Sequence, residues 1–345
     1  MPTPTYTPIQ VMLTLAFIAD AGATIEGTDC QTAHHLYNQI NHYLETMDTV
    51  KGNWDLVWGP AVFKFPLIAK LRDNTVFVAQ NTKDKSQYAL ALSGTNPYEL
   101  TDWLFEDFLV AGTLPWGYGK PPGGARISLS AGLSLGVLHN LKPCPGLPQE
   151  NVSLTDFFNQ QAGLTSLIVT GHSLGGEMAS TAALWLADTQ GLLWDKKKKA
   201  KVSAYCYAGP TAGNTQWVNY FHERLGDNAH RIWNSLDVAP CVWQVSTLEQ
   251  VPHLYLPQIK PPIWAKPLLD TIILSVKDKK YTQFPDVKQD KQPLISQVNT
   301  AAGYNTFLAQ AIYQHIEAYH KILKVPALEP LMSALRAKAK PPTVG

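Results

Sequence analysis

The chain has 345 residues, 45% of them hydrophobic and 10 of them tryptophan, enough to bury a large core and too apolar for a disordered or fibrous protein. Lys+Arg of 28 against Asp+Glu of 27 leaves a formal charge of +1, so neither a nucleic acid nor an anionic membrane surface is implied as partner. Four cysteines, Cys30, Cys144, Cys206 and Cys241, are too few and too scattered for a disulfide scaffold and form no C-x-x-C pair, which leaves redox compartment and pairing open.

The opening run "MPTPTYTPIQVMLTLAFIADAGA" lacks a positively charged start and is interrupted by Asp20, so it reads as a helix rather than a signal peptide, and localisation stays open. No apolar stretch reaches the ~18 residues that a membrane span needs. Helical periodicity over 9–21 and in "QTAHHLYNQINHYLETM" gives way to extended character in "LVWGPAVFKF", "TVFVAQ" and "QYALALSGT", the last two forming a hairpin across "NTKDKS". From residue 101 the pattern predicts helix, then the loop "LPWGYGKPPGGA" and a helix near 135–141. "SLIVTGHSLGGEMASTAALWLA" reads as strand, tight turn and helix. The lysine run at 196–199 is expected as a solvated loop. A strand "VSAYCYAGP", a helix over 216–224, a strand "HRIWNS" and a long closing helix "NTFLAQAIYQHIEAYHKIL" follow. This alternation predicts one α/β domain over 1–345 built on a mainly parallel sheet flanked by helices. Within it, the Pro- and aromatic-rich stretch 241–300 reads as an insertion capping one end of the sheet, and 326–345 as a tail.

G-x-S-x-G occurs twice, around Ser134 in "GLSLG" and around Ser173 in "GHSLG". With ~7% Gly and a similar share of Ser, chance supplies one such match in roughly one chain in ten, so context must separate the two. A nucleophile elbow needs a buried strand before the serine and small residues where strand and helix backbones nearly touch. Ser173 has both: "SLIVT" precedes it, and Gly175, Gly176, Ala179, Ser180, Ala182 and Ala183 follow. Ser134 follows the weaker "ISLSA" and precedes bulkier Val137 and Leu138, so it reads as a small residue in a helix start.

A serine hydroxyl becomes a nucleophile when a base takes its proton, and that base needs a carboxylate to orient it. In α/β-hydrolases the order is serine, acid, histidine. Asp237 fits the acid because "LDVAP" carries it into a loop just past a late strand, where open α/β sheets bind ligands. Downstream of Ser173, His222, His230, His253, His315 and His320 all remain in play as base, and each also fits an ordinary core or surface position.

Five segments in order resemble the class 3 lipases, the fungal-type triacylglycerol lipase family of the α/β-hydrolase fold. These are "ALSGTNPYELTDWLFEDF", "VTGHSLGG", "YAGPTAGN", "RIWNSLDVAP" and "HIEAYHKIL", spread over roughly 76–323. The resemblance implies a triad of Ser173, Asp237 and His315, with His320 as the rival base, and oxyanion donors at Thr95 and Leu174. It implies a lid on "YELTDWLFEDFLV", whose Leu100, Trp103, Leu104 and Phe108 share one helical face, although that periodicity equally fits an ordinary core-facing helix. Ser93 departs from the arginine usual before Gly-Thr, and "LSAGLSL" stands where the family has a histidine-glycine segment. The function implied is a serine carboxylic-ester hydrolase cleaving acylglycerols through an acyl-enzyme on Ser173, with no metal or organic cofactor. Its partners are then a lipid or ester substrate and a lipid–water interface. An esterase or phospholipase A1 keeps the same triad, and a non-catalytic lipid-binding protein of hydrolase shape is the alternative from another class.

Overall fold

Apolar runs buried on both sides become the central strands, and amphipathic or small-residue helices cover the two faces they leave. The computed structural model describes residues 5–21, 25, 27–63, 74–94, 111–284 and 293–328. Its main sheet is ordered β1 (Trp54–Phe63), β2 (Asn74–Asn81), β3 (Gln87–Leu92), β6 (Ser166–His172), β7 (Lys201–Tyr207), β8 (Ala229–Ile232). β1, β2 and β3 pair antiparallel, and β3, β6, β7 and β8 run parallel. The expected hairpin across 81–86 is therefore present, at the antiparallel end of a sheet whose other half is parallel. A two-stranded ribbon, β4 (Thr113–Pro115) with β5 (Arg126–Ser128), brackets the Pro/Gly-rich loop and was not foreseen.

One face is covered by α1 (Pro8–Asp20) and α2 (Asp29–Thr46). Each begins with a capping box, Thr7 with Gln10 and Thr28 with Gln31, which satisfies two end donors apiece. The opening run is thus a helix, buried continuously from Met12 to Asp20 because it lies between the sheet and the rest of that face. On the other face α3 (Leu129–Asn140), α4 (Leu154–Gln160), α5 (Leu174–Thr189) and α6 (Thr215–Leu225) enclose a core containing Trp185, Trp194, Trp217, Phe157 and Phe158. The lysines at 196–199 are exposed between α5 and β7, as expected.

Past β8, residues 238–284 build a third apolar cluster in which Trp243, Tyr255, Ile259 and helix α7 (Ala265–Val276) pack against Leu174 and Val238. This cluster therefore lies against the residues that directly follow β6 and β8. The closing helix expected as one piece is two, α8 (Phe307–His315) and α9 (Glu317–Leu323), broken at Ile316 with φ −125° and ψ −68°. Nothing in the local propensities forces that break; it follows from the tertiary contacts of His315 described below. Cys30 and Cys144 form a disulfide across 114 positions, while Cys206 and Cys241 are buried thiols. Among the described residues no helix is long and apolar enough to cross a membrane.

Candidate active site

β6 runs straight into α5, and Ser173 is the single residue between them. Its backbone has φ 60° and ψ −132°, a left-handed strain that a serine adopts only where packing enforces it. The packing is visible at the glycines. A Cβ on Gly171 would collide with the Gly175 carbonyl, one on Gly175 with the Leu92 carbonyl, and one on Gly176 with the Tyr207 carbonyl. All three are main-chain atoms, so the elbow tolerates no side chain there. The turn is pinned further by Ser173 N–H donating to Tyr207 O at 3.0 Å.

The elbow leaves the Ser173 hydroxyl 2.9 Å from His315 Nε2. His315 Nδ1 stands 3.0 Å from both Asp237 oxygens. All three residues are buried, Ser173 at 4%, Asp237 at 1% and His315 at 0% exposure, so their interactions act with little screening by water. Asp237 lies in the loop after β8, where Ala239 N–H donates to Oδ1 at 3.0 Å and the Tyr319 hydroxyl donates to Oδ2 at 2.9 Å. Burial and the adjacent carboxylate push the Tyr319 phenol well above its ordinary pKa, which keeps it a donor. Asn234 ties the same loop down, accepting from Leu236 N–H and donating to Gln314 O at 3.0 Å.

His315 is the last residue of α8, directly before the break at Ile316. The break frees the His315 carbonyl, which accepts from His172 Nε2 at 2.8 Å. His320, the rival base, is held away from this cluster on α9, stacked on Phe17 at 4.1 Å between ring centroids. Ser134, the other motif serine, is buried mid-helix in α3.

Leu174 is the first residue of α5, and its N–H is among the donors a helix start leaves unpaired. Gly94 passes so close that a Cβ on it would lie 3.0 Å from the Leu174 nitrogen. Thr95, Trp103, Leu104 and Phe108 lie outside the described residues. Ser93, standing where the family has arginine, is buried and its hydroxyl accepts from Thr75 N–H at 2.6 Å, fastening β3 to β2. Tyr319 and Asn234 were not singled out from the sequence for any role; the late Tyr four positions after His315 was the available signal for the first.

The sequence model of the family "Lipase (class 3)" matches residues 147–246, a span holding Ser173 and Asp237 but not His315. Among curated proteins the chain is 38% identical over 73 residues to phospholipase A1-Igamma1, chloroplastic, of Arabidopsis thaliana, and 33% identical over 96 residues to phospholipase A1-Igamma2 of the same plant. These matches span 21% and 28% of this chain but only 14% and 16% of the plant proteins. Among solved structures, M37 lipase superposes with a TM-score of 0.88 at 32% identity, covering 97% of this chain and 100% of that one. With a correspondence of that extent to a lipase, and with the family pattern lying across its serine elbow and acid loop, the chain belongs to the class 3 lipases.

Proposed function

We propose that the protein is a serine carboxylic-ester hydrolase that cleaves acylglycerol esters through an acyl-enzyme on Ser173. The observation that carries this reading is the uninterrupted sequence of contacts from Ser173 Oγ to His315 Nε2 at 2.9 Å and from His315 Nδ1 to Asp237 at 3.0 Å. His315 takes the hydroxyl proton as Ser173 attacks the ester carbonyl, and Asp237 holds the imidazole and stabilises the imidazolium that forms. The carbonyl oxygen, now negative, meets the Leu174 N–H at the positive end of α5 and the N–H of Thr95. Each such donor is worth about 2.7–4 kcal/mol in the transition state. His315 then gives its proton to the departing alcohol, and water repeats the sequence to release the acid.

A lipid rather than a small soluble ester is favoured by the insertion. Ile263 is 98% and Trp264 47% exposed in "KPPIWAK", an apolar tip between lysines on the cap that packs against Leu174. Phospholipase A1 action at the same triad is the second reading, favoured by the short matches to the plant phospholipases.

Hydrolysis of short-chain, long-chain and phospholipid esters, with fluorophosphonate labelling, tests these readings in wild type, Ser173→Ala and Ser134→Ala. Ser173→Ala is expected to lose labelling and nearly all turnover, while Ser134→Ala keeps both. Turnover retained by folded Ser173→Ala would overturn the proposal. The preferred ester class separates lipase from phospholipase.

A further inference from the structure

Behind the triad lies a second buried acid and histidine that the mechanism above does not use. Asp20, the last residue of α1, has a side chain only 2% exposed, and His172, one position before Ser173, is fully buried. Asp20 Oδ1 accepts from Gly94 N–H at 3.1 Å, on the segment leading into Thr95. Asp20 Oδ2 lies 3.3 Å from His172 Nδ1, within ion-pair distance but off hydrogen-bond alignment, and neither atom has a hydrogen-bond partner among the described residues. The far side of the His172 ring, Nε2, is 2.8 Å from the His315 carbonyl. We infer that Asp20 is a positioning residue of the hydrolytic site. One of its oxygens fixes the oxyanion segment at Gly94, and the other fixes the base through the His172 ring and the His315 carbonyl.

The proton count supports this. A carbonyl only accepts, so His172 Nε2 carries a hydrogen. Nδ1 and Oδ2 therefore hold one proton between them, since two bare lone pairs facing each other at that distance in a buried site would repel. Burial raises the Asp20 carboxyl above its ordinary pKa, in keeping with a shared proton. The ring has no freedom to answer a lost partner by turning out to solvent. Phe17, His315 and Tyr319 surround it at centroid distances of 4.6, 4.7 and 5.8 Å, and His320 in turn stacks on Phe17. Asparagine at position 20 would keep every contact without charge, its oxygen accepting from Gly94 and its NH₂ donating to His172 Nδ1. Alanine would remove them all.

This inference rests on the reading of Ser173 as nucleophile, and the test keeps the two apart. Asp20→Ala, Asp20→Asn and His172→Phe are made in the full chain. The measurements are kcat and KM on a soluble short-chain ester, the rate of phosphonylation at Ser173, and the far-downfield NMR proton of His315 Nδ1 against Asp237. Asp20→Ala is expected to lower kcat and phosphonylation roughly 100-fold, because both reacting groups lose placement, with KM within about twofold. Asp20→Asn is expected to recover most of the loss. Folded Asp20→Ala with wild-type kcat, or Asp20→Asn as impaired as alanine, overturns the inference. Should Asp20→Ala fail to fold, His172→Phe decides, and wild-type kcat there overturns it as well. Should wild-type Ser173 refuse the phosphonate, the hydrolase reading falls. The His315 proton then decides alone: displaced by alanine and restored by asparagine it supports the positioning role, and unmoved it sinks it.

Discussion

His320 stacks on Phe17, is 6% exposed, and neither of its ring nitrogens has a well-aligned partner among the described residues. Burial, reinforced by the neighbouring His172, lowers its pKa from 6.5 to about 4. The unfolded chain therefore binds a proton that the folded chain refuses over that interval. Stability supplied by the neutral ring is intact above pH 6.5 and drains away as pH falls towards 4. For a residue this buried the loss is about 2–3 kcal/mol. His320→Phe keeps the ring stack and cannot be protonated, so it should lose that much less stability than wild type between about pH 8 and about pH 4.5 in urea melts. Equal acid losses in the two proteins would mean that His320 is charged in the fold. The same chemistry separates His320 from His315, which has a carboxylate behind it, a serine before it and a helix end beneath it. Residue type and chain order leave the two alike and the family resemblance alone favours His315; the helix break at Ile316 separates them in space, by turning one ring towards Ser173 and the other towards α1.

The elements around the elbow turn two identical motifs into different objects. In the β6–α5 turn, Gly175 sits against the Leu92 carbonyl and the Gly94 nitrogen, both main-chain atoms of the neighbouring segment. In α3, Gly136 occupies the same place in its motif, is exposed, and a Cβ on it would meet nothing within 4 Å. Gly175→Ala must therefore push β3 and α5 apart, costing about 1–3 kcal/mol or more and displacing Gly94 from Leu174. Gly136→Ala should stabilise by about 0.5–1 kcal/mol, since alanine is the better helix former. Thermal melts and ester turnover of the pair check this, and comparable damage in both would contradict the packing described. Much of this was legible beforehand, because small residues spaced along "GGEMASTAA" announce close helix–sheet contact in local sequence. The strands were legible as well, as short apolar, β-branched runs bounded by turn residues. What was not legible depends on partners far apart in the chain. Asp20 read only as an interruption of an apolar helix, and its meaning comes from Gly94 and His172. Tyr319 needed Asp237 to acquire a role, and β4 and β5 are too short to show a period.

At the scale of the molecule, α2 and the loop after α3 are tied by Cys30–Cys144, which closes 114 positions of chain. A loop of that size loses about 4–5 kcal/mol of unfolded-state entropy in the chain model, and measured effects are typically about 2–4 kcal/mol. The other two cysteines are no substitute partners. Cys206 and Cys241 are buried, and burial raises both thiols, Cys241 to about 12, so neither supplies a thiolate near neutral pH. The bond joins peripheral elements, whereas Ser173, Asp237 and His315 come from the β6–α5 turn, the loop after β8 and the end of α8. Stability and catalysis should therefore separate. Cys30→Ser with Cys144→Ser is expected to lower Tm by roughly 3–6 °C while kcat on a soluble ester at room temperature stays within about twofold of wild type. Reductant should move wild type towards the double variant and leave the variant where it is. A kcat that falls with Tm would mean that the bond holds the site's geometry as well as the fold, and an unchanged Tm would mean that the unfolded chain is already constrained without it.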